Sequence, residues 1–424
     1  MQVFRGVLVA SALCSVVAVY RLLRKLRTHV PEGKVFRISF CTREKSHSSL
    51  KTGLKLPPGP PRRFLLGNLT DLPKDKDWEA FEKWAKTYGD FTYLNIFGTS
   101  LLFVNSFKLQ HELFDQRGAI YSDRFQSTML HDLYECGFNW SVATMQYDDL
   151  WRRHRAVLHT VLNKATFMQY RGTLERYSRT LLVRLHHSPE KFLEHSRHIL
   201  GAIILELTYG IKVQPENDPF VETSENATKI MGEVSSPGAF YVDFLPILKH
   251  VPAWFPGAGF QHKAKRLNQY LQDMIHIPFN NVKESIKAGK TTPSIISNFL
   301  EDLETRQDVV NLDEEEEILR YIGGVIYLGG IDTAESSFQS FLLAMILYPE
   351  AQHAAQGELD KVIGSKSLPS FEDRPNLPYI EAVVKETLRW HPVAPCGFPH
   401  RLKEDDIIGD YFIPKGTVVM GNIW

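Results

Sequence analysis

The sequence predicts a mainly α protein with small β-sheets, an α+β class. Apolar residues recur at helical spacing through most of the chain up to Tyr348. Strand-like stretches are confined to Phe91–Phe97 and Leu101–Val104, and later to Tyr411–Ile413 and Thr417–Met420. With 424 residues, 43% of them apolar, the chain can bury a large core. Its 49 basic and 49 acidic residues cancel, so no global field draws it to nucleic acid. Four cysteines, Cys14, Cys41, Cys136 and Cys396, have no Cys-x-x-Cys spacing, which argues against a disulfide framework and fits a reducing compartment.

Taken in order, Val3–Tyr20 is apolar apart from Arg5 and a few small polar residues, and as a helix would reach about 27 Å. Arg21, Arg24, Lys25 and Arg27 follow it, so a retained signal anchor over residues 1–27 with the remainder cytoplasmic is expected. Residues 28–61 read as a basic linker ending in the stiff run Pro57-Pro58-Gly59-Pro60-Pro61, and 62–424 as the catalytic domain. Trp78–Tyr88 has helical spacing, and the two early strand-like runs flank Gly98 as a hairpin.

The most informative element is a single helical pattern from Leu312 to Leu347, ended by Pro349. Its acidic start, Asp313–Glu317, suits the positive end of a helix dipole and reads as a solvated N-terminus. Its interior holds Gly323, Gly324, Gly329 and Gly330, which together cost roughly 4 kcal/mol against alanine. Such a cost points to close approach by a neighbour or to a local bend. Asp332-Thr333 follows the second glycine pair, and Thr333 is placed to bond the Gly329 carbonyl and open the helix. A tight helix crossing with a satisfied polar pair is the plainer reading. Farther on, Glu386 and Arg389 lie three apart on one face of a helix over Tyr379–Trp390, stopped by Pro392, a pair that any surface helix can carry.

The proline run, Trp151-x-x-x-Arg155, Gly329-Gly330-Ile331-Asp332-Thr333, Glu386-x-x-Arg389 and the run from Pro399-His400 through Tyr411-x-Ile413-Pro414-Lys415-Gly416-Thr417 to Asn422-x-Trp424 occur in one order. In that order and spacing the chain resembles the membrane-anchored, fungal-type cytochrome P-450 enzymes over essentially residues 55–424. The resemblance implies a triangular helical domain with a small sheet lobe and a heme (iron protoporphyrin) cofactor. It implies that Trp151, Arg155 and His400 contact the heme propionates, and that Gly329 and Gly330 leave room at the heme face. Asp332 and Thr333 organise proton delivery, and Glu386 and Arg389 form a structural ion network. The implied reaction is oxygen insertion into an apolar small molecule, with electrons from NADPH and flavins through a cytochrome P-450 reductase at the endoplasmic reticulum membrane. Arg152 and Arg153 are candidate docking residues for that acidic partner, and plain helix surface is the preferred alternative. Substrate contacts are expected from Ser122–Tyr147 and from Phe240–Leu248 with Trp254 and Phe255, the latter stretch facing either the bilayer or the core.

The resemblance stops short of the family's Phe-x-x-Gly-x-x-x-Cys-x-Gly motif, which supplies the iron-ligating thiolate and has no counterpart in this sequence. Cys396 stands in a segment that corresponds to the substrate side rather than the ligand loop. A chain ending before its axial cysteine is therefore expected, either as a piece of an active monooxygenase or as a non-catalytic, membrane-tethered isoform, and a buried Glu386/Arg389 network left incomplete would lower stability. Hydrolase and nucleotide-binding classes find no support. There is no Gly-x-Ser-x-Gly or His-Glu-x-x-His, and Ala288-Gly289-Lys290-Thr291 has Glu284 where a P-loop needs its first glycine.

Overall fold

The computed structural model describes residues 53–73, 76–133, 138–163, 168–215, 217–235, 239–305, 311–364 and 367–424. The expected anchor Val3–Tyr20 and the basic run behind it lie outside these residues. Among the described residues no helix is long and apolar enough to cross a membrane.

Helix α1, Asp77–Tyr88, ends at Gly89, whose φ of 84° turns the chain into the first hairpin. Its buried Phe81 packs on Trp84 and Phe103, with ring centroids 5.3 and 4.4 Å away. Strands β1 (Phe91–Ile96) and β2 (Thr99–Val104) are antiparallel, joined by Phe97 and Gly98, which both have positive φ (48° and 89°). A two-residue hairpin demands that left-handed pair, and glycine supplies half of it without strain. The predicted hairpin is therefore present.

Farther along come β3 (Asp123–Arg124), α2 (Asp149–Val161), α3 (Arg171–His187), α4 (Phe192–Tyr209), α5 (Pro219–Ser235), α6 (Gly259–Lys287) and α7 (Ile295–Thr305). The 36-residue α8 runs Leu312–Leu347, followed by α9 (Pro349–Val362) and α10 (Pro378–Trp390). Pro349 both stops α8 and occupies the first turn of α9, where its missing N–H costs nothing. The chain closes with β4 (His400–Arg401), β5 (Asp406–Ile408), β6 (Tyr411–Ile413) and β7 (Val418–Gly421). β7 joins β2 in parallel and β4 antiparallel, and β4 pairs with β3, giving a five-stranded sheet in the order β1-β2-β7-β4-β3. β5 and β6 form a separate pair. The expected mainly helical fold with small sheets is what forms.

The largest core cluster is helical: Leu205 of α4, Leu271 and Ile275 of α6, Leu300 of α7, and Ile322 and Ile331 of α8 are all buried in it. The acidic start of α8 is capped by Asn311, whose side chain accepts from the Glu314 amide. It is not simply solvated. Glu314 and Glu315 hold Arg153 of α2, and Glu316 holds Lys283 of α6, so these carboxylates fasten two helices to the end of α8.

Candidate heme site

Helix α8 remains α-helical throughout Leu312–Leu347, so the expected opening does not occur. Three of its four interior glycines have a packing reason. A Cβ on Gly323 would sit 2.7 Å from the Tyr209 hydroxyl, one on Gly324 3.1 Å from Ile275 and 3.2 Å from Trp140, and one on Gly330 2.6 Å from Ile204. Gly329 has none: nothing lies within 4 Å of its Cβ position, and the residue is exposed midway along the longest helix. Gly329 thus costs about 1 kcal/mol of helix stability without a packing partner and leaves this face of α8 free of side chain. Thr333, also exposed and one turn on, donates its hydroxyl to the Gly329 carbonyl at 2.6 Å, as predicted, and Ser337 repeats the bond to the Thr333 carbonyl at 2.8 Å. Asp332 is half-buried, and its Oδ2 is buried without a hydrogen-bond partner. Burial pushes this carboxyl up to about 6, against the pull of Arg197.

Helix α2 is capped by Asp148, which accepts from the Trp151 amide at 2.9 Å. The Trp151 indole N–H donates to the Val142 carbonyl at 3.0 Å. In this structure the indole donor is therefore held by the loop before α2. Arg155, one turn later, is exposed and has no hydrogen bond or ion pair among the described residues. Its neighbours differ. Arg152 holds Asp149 and lies over the Tyr147 ring, and Arg153 holds Glu314 and Glu315, so their cationic groups are engaged within the chain rather than free for a docking partner.

His400 lies opposite Arg124 in the β3–β4 pair. Its Nδ1 donates to the Tyr121 carbonyl at 2.7 Å and its ring packs on Phe114 at 4.6 Å. Burial, reinforced by the Arg124 charge, pushes His400 down to about 4. The ring is neutral at pH 7 with its proton on Nδ1, so Nε2 is an acceptor and the cation at this edge is Arg124. Arg124 donates to the Phe398 carbonyl at 3.0 Å, and burial brings its guanidinium down to about 10, still charged. The neighbouring Asp123 carboxylate favours its charged form, but among the described residues the two form no salt bridge, so the guanidinium keeps donors for a further anion. Arg124 was not singled out from the sequence; only its pairing with His400 gives it meaning.

Tyr147 connects the two edges. Its amide donates to Asp123 beside Arg124 at 3.2 Å, its carbonyl accepts from Lys403 at 2.6 Å, and its ring meets that of Trp151 at 5.0 Å. The helix bearing Arg155 is thereby tied to the strands bearing Arg124 and His400.

The family model for cytochrome P-450 matches residues 57–424. This chain belongs to the cytochrome P-450 family. It is 41% identical to cytochrome P-450 monooxygenase 98 of Postia placenta, over 88% of this chain and 71% of that protein. It is 39% identical to cytochrome P-450 monooxygenase ple1 of Rhodocybe pseudopiperita, over 87% and 70%, and 38% identical to cytochrome P-450 monooxygenase COX1 of Coprinopsis cinerea, over 88% and 72%.

A P-450 implies heme, and residues of suitable chemistry are present: Arg124 and Arg155, without a salt bridge among the described residues, could meet its carboxylates, and the exposed strip at Gly329 and Thr333 could meet its macrocycle. Among the described residues none offers an axial thiolate. Cys396 packs, partly buried, against the core cluster that includes Phe81, Leu101 and Phe103, and burial pushes its thiol up to about 12, so it stays protonated. Cys14, Cys41 and Cys136 lie outside the described residues. Glu386 and Arg389 form a bidentate pair at 2.6 and 2.7 Å, with 59% and 70% of their side chains exposed, which corrects the expectation of a buried, stability-limiting network. A cleft of about 480 Å³ lies beside them, between the end of α8 and α10, lined by Ala344, Tyr348, Val383 and Trp390.

The two expected substrate segments meet at Asp243, which accepts from the Ser127 hydroxyl at 2.7 Å and the Met129 amide at 2.9 Å. The second segment is mixed. Val242 and Phe244 are buried, whereas Tyr241, Ile247 and Trp254 are exposed.

Proposed function

We propose that this P-450 is a heme-dependent monooxygenase that inserts oxygen into an apolar small molecule. When bound, heme supplies the activation of dioxygen. The residues of the chain supply the rest. Arg124 and Arg155 hold the carboxylate edge by charge-assisted hydrogen bonds and so fix the orientation of the group. Gly329 keeps the middle of α8 free of side chain at its face. Thr333 holds its hydroxyl against the Gly329 carbonyl, and Asp332, next to it in sequence, retains a proton nearly to neutral pH because its Oδ2 is buried and unpaired. That unpaired carboxyl beside an open helix face is the observation that carries the reading.

Electrons come from NADPH through a flavin-containing cytochrome P-450 reductase, and the Val3–Tyr20 run with its trailing arginines supports an endoplasmic-reticulum anchor with the catalytic domain cytoplasmic. Co-expression with such a reductase tests the reading. NADPH-dependent oxygenation of an apolar substrate is expected, and Asp332→Asn and Thr333→Val lower product formed per NADPH consumed. Unchanged coupling in both variants would refute the proton-delivery role.

A further inference from the structure

Behind Asp332 lies a charge cluster that the family motifs leave unused. Arg197 of α4 donates from Nε to Glu335 Oε2 at 2.7 Å, and Gln339 donates to the other oxygen, Oε1, at 2.7 Å. Both oxygens of Glu335 are therefore occupied, as its 5% exposure requires. A second contact from Arg197 reaches Glu225 of α5 at 3.7 Å. Asp332 and Glu335 are three residues apart and share the face of α8 that packs along α4. Arg197 is thus hydrogen-bonded to Glu335 and ion-paired at longer range with Glu225, while Asp332, which feels the same guanidinium, keeps a buried Oδ2 with no hydrogen bond.

We propose that Glu335 holds Arg197 off Asp332 and so keeps Asp332 able to carry a proton. Arg197 and Glu335 are positioning residues: neither faces the open strip at Gly329, and both act through Asp332. The charged groups felt at Asp332 are Arg197, Glu335 and Glu225, from α4, α8 and α5. If Glu335 released the guanidinium, Asp332, one turn away on the same face of α8, would be an unpaired carboxylate able to receive it. A full ion pair there would favour the charged form and take the proton away.

The inference rests on Asp332 as the proton carrier, but its test needs neither heme nor turnover. In the heme-free 424-residue chain labelled with ¹³C-aspartate, the infrared band of protonated Asp332 is assigned by its loss in Asp332→Asn and titrated with pH. Glu335→Gln should lower its midpoint by about one pH unit or more, the effect of gaining an opposite charge at close range. Arg197→Gln should raise it, and Arg197→Lys should bring it back toward the parent value. Glu225→Gln, an isosteric change at a partly exposed position, should also lower it, which keeps the test available if Glu335→Gln does not fold. Midpoints unmoved in folded Arg197→Gln and Glu225→Gln would overturn the proposal and leave a purely structural ion pair. A midpoint that moves as stated, while Asp332→Asn leaves coupling intact, would keep the positioning role and remove the catalytic reading alone.

Discussion

Alanine at Gly329 and at Gly323 should change stability in opposite directions. Each substitution gains about 1 kcal/mol of helix propensity, because alanine loses less backbone entropy than glycine. At Gly329 nothing lies within 4 Å of the added methyl, so the gain stands. At Gly323 the methyl would lie 2.7 Å from the Tyr209 hydroxyl and 3.0 and 3.1 Å from two ring carbons, and that ring is 3% exposed. A rigid buried aromatic cannot step aside, and overpacking costs about 1–3 kcal/mol, leaving a net loss of up to about 2 kcal/mol. Thermal unfolding of the heme-free chain should therefore show Gly329→Ala melting slightly higher, by about 1–2 °C for a chain this long, and Gly323→Ala lower. Heme uptake should run the other way, with Gly329→Ala the poorer binder because its methyl enters the cleared face. A destabilised Gly329→Ala, or one with undiminished heme uptake, would refute the reasoning.

The neutral His400 gives a pH signature. Its folded pKa lies below its unfolded value, so its contribution to stability is complete above the unfolded pKa of about 6.5 and is lost as pH falls toward about 4. His400→Gln should flatten the acid limb of stability against pH, measured by denaturation at pH 4.5 and 7. Glu386→Ala and Arg389→Ala should leave the melting temperature unchanged, because their pair is solvent-exposed. Cys396 should resist alkylation in the folded protein at pH 8 and react on unfolding, and Cys396→Ser should leave heme uptake unchanged.

The long helix α8 was legible in sequence from end to end, since its apolar repeat closes on Pro349 and nothing in tertiary packing competes with it. The β1–β2 hairpin was legible from Gly98, because a positive-φ turn leaves a residue signature. β3 and β4 were not. Each has two residues, and their partners lie 276 and 278 positions apart, so no local pattern marks them. The same non-locality hid Arg124, an unremarkable residue until β4 places His400 across from it. Trp151 was placed at the right end of the right helix, yet its indole bonds a carbonyl in the preceding loop, a choice that periodicity does not encode. Glu386 and Arg389 were paired correctly, but spacing on a helix face says nothing about which face is covered.

Recognition of the heme carboxylates by Arg124 and Arg155 is the claim on which the site depends. Tryptophan-fluorescence quenching of the 424-residue chain should be titrated with iron protoporphyrin and, in parallel, with its dimethyl ester, which has the same macrocycle without the anions. The account predicts saturation at one equivalent, at least about tenfold weaker binding of the ester, and a loss of that difference in the double variant Arg124→Gln/Arg155→Gln. Equal affinities for acid and ester in the parent chain would contradict it.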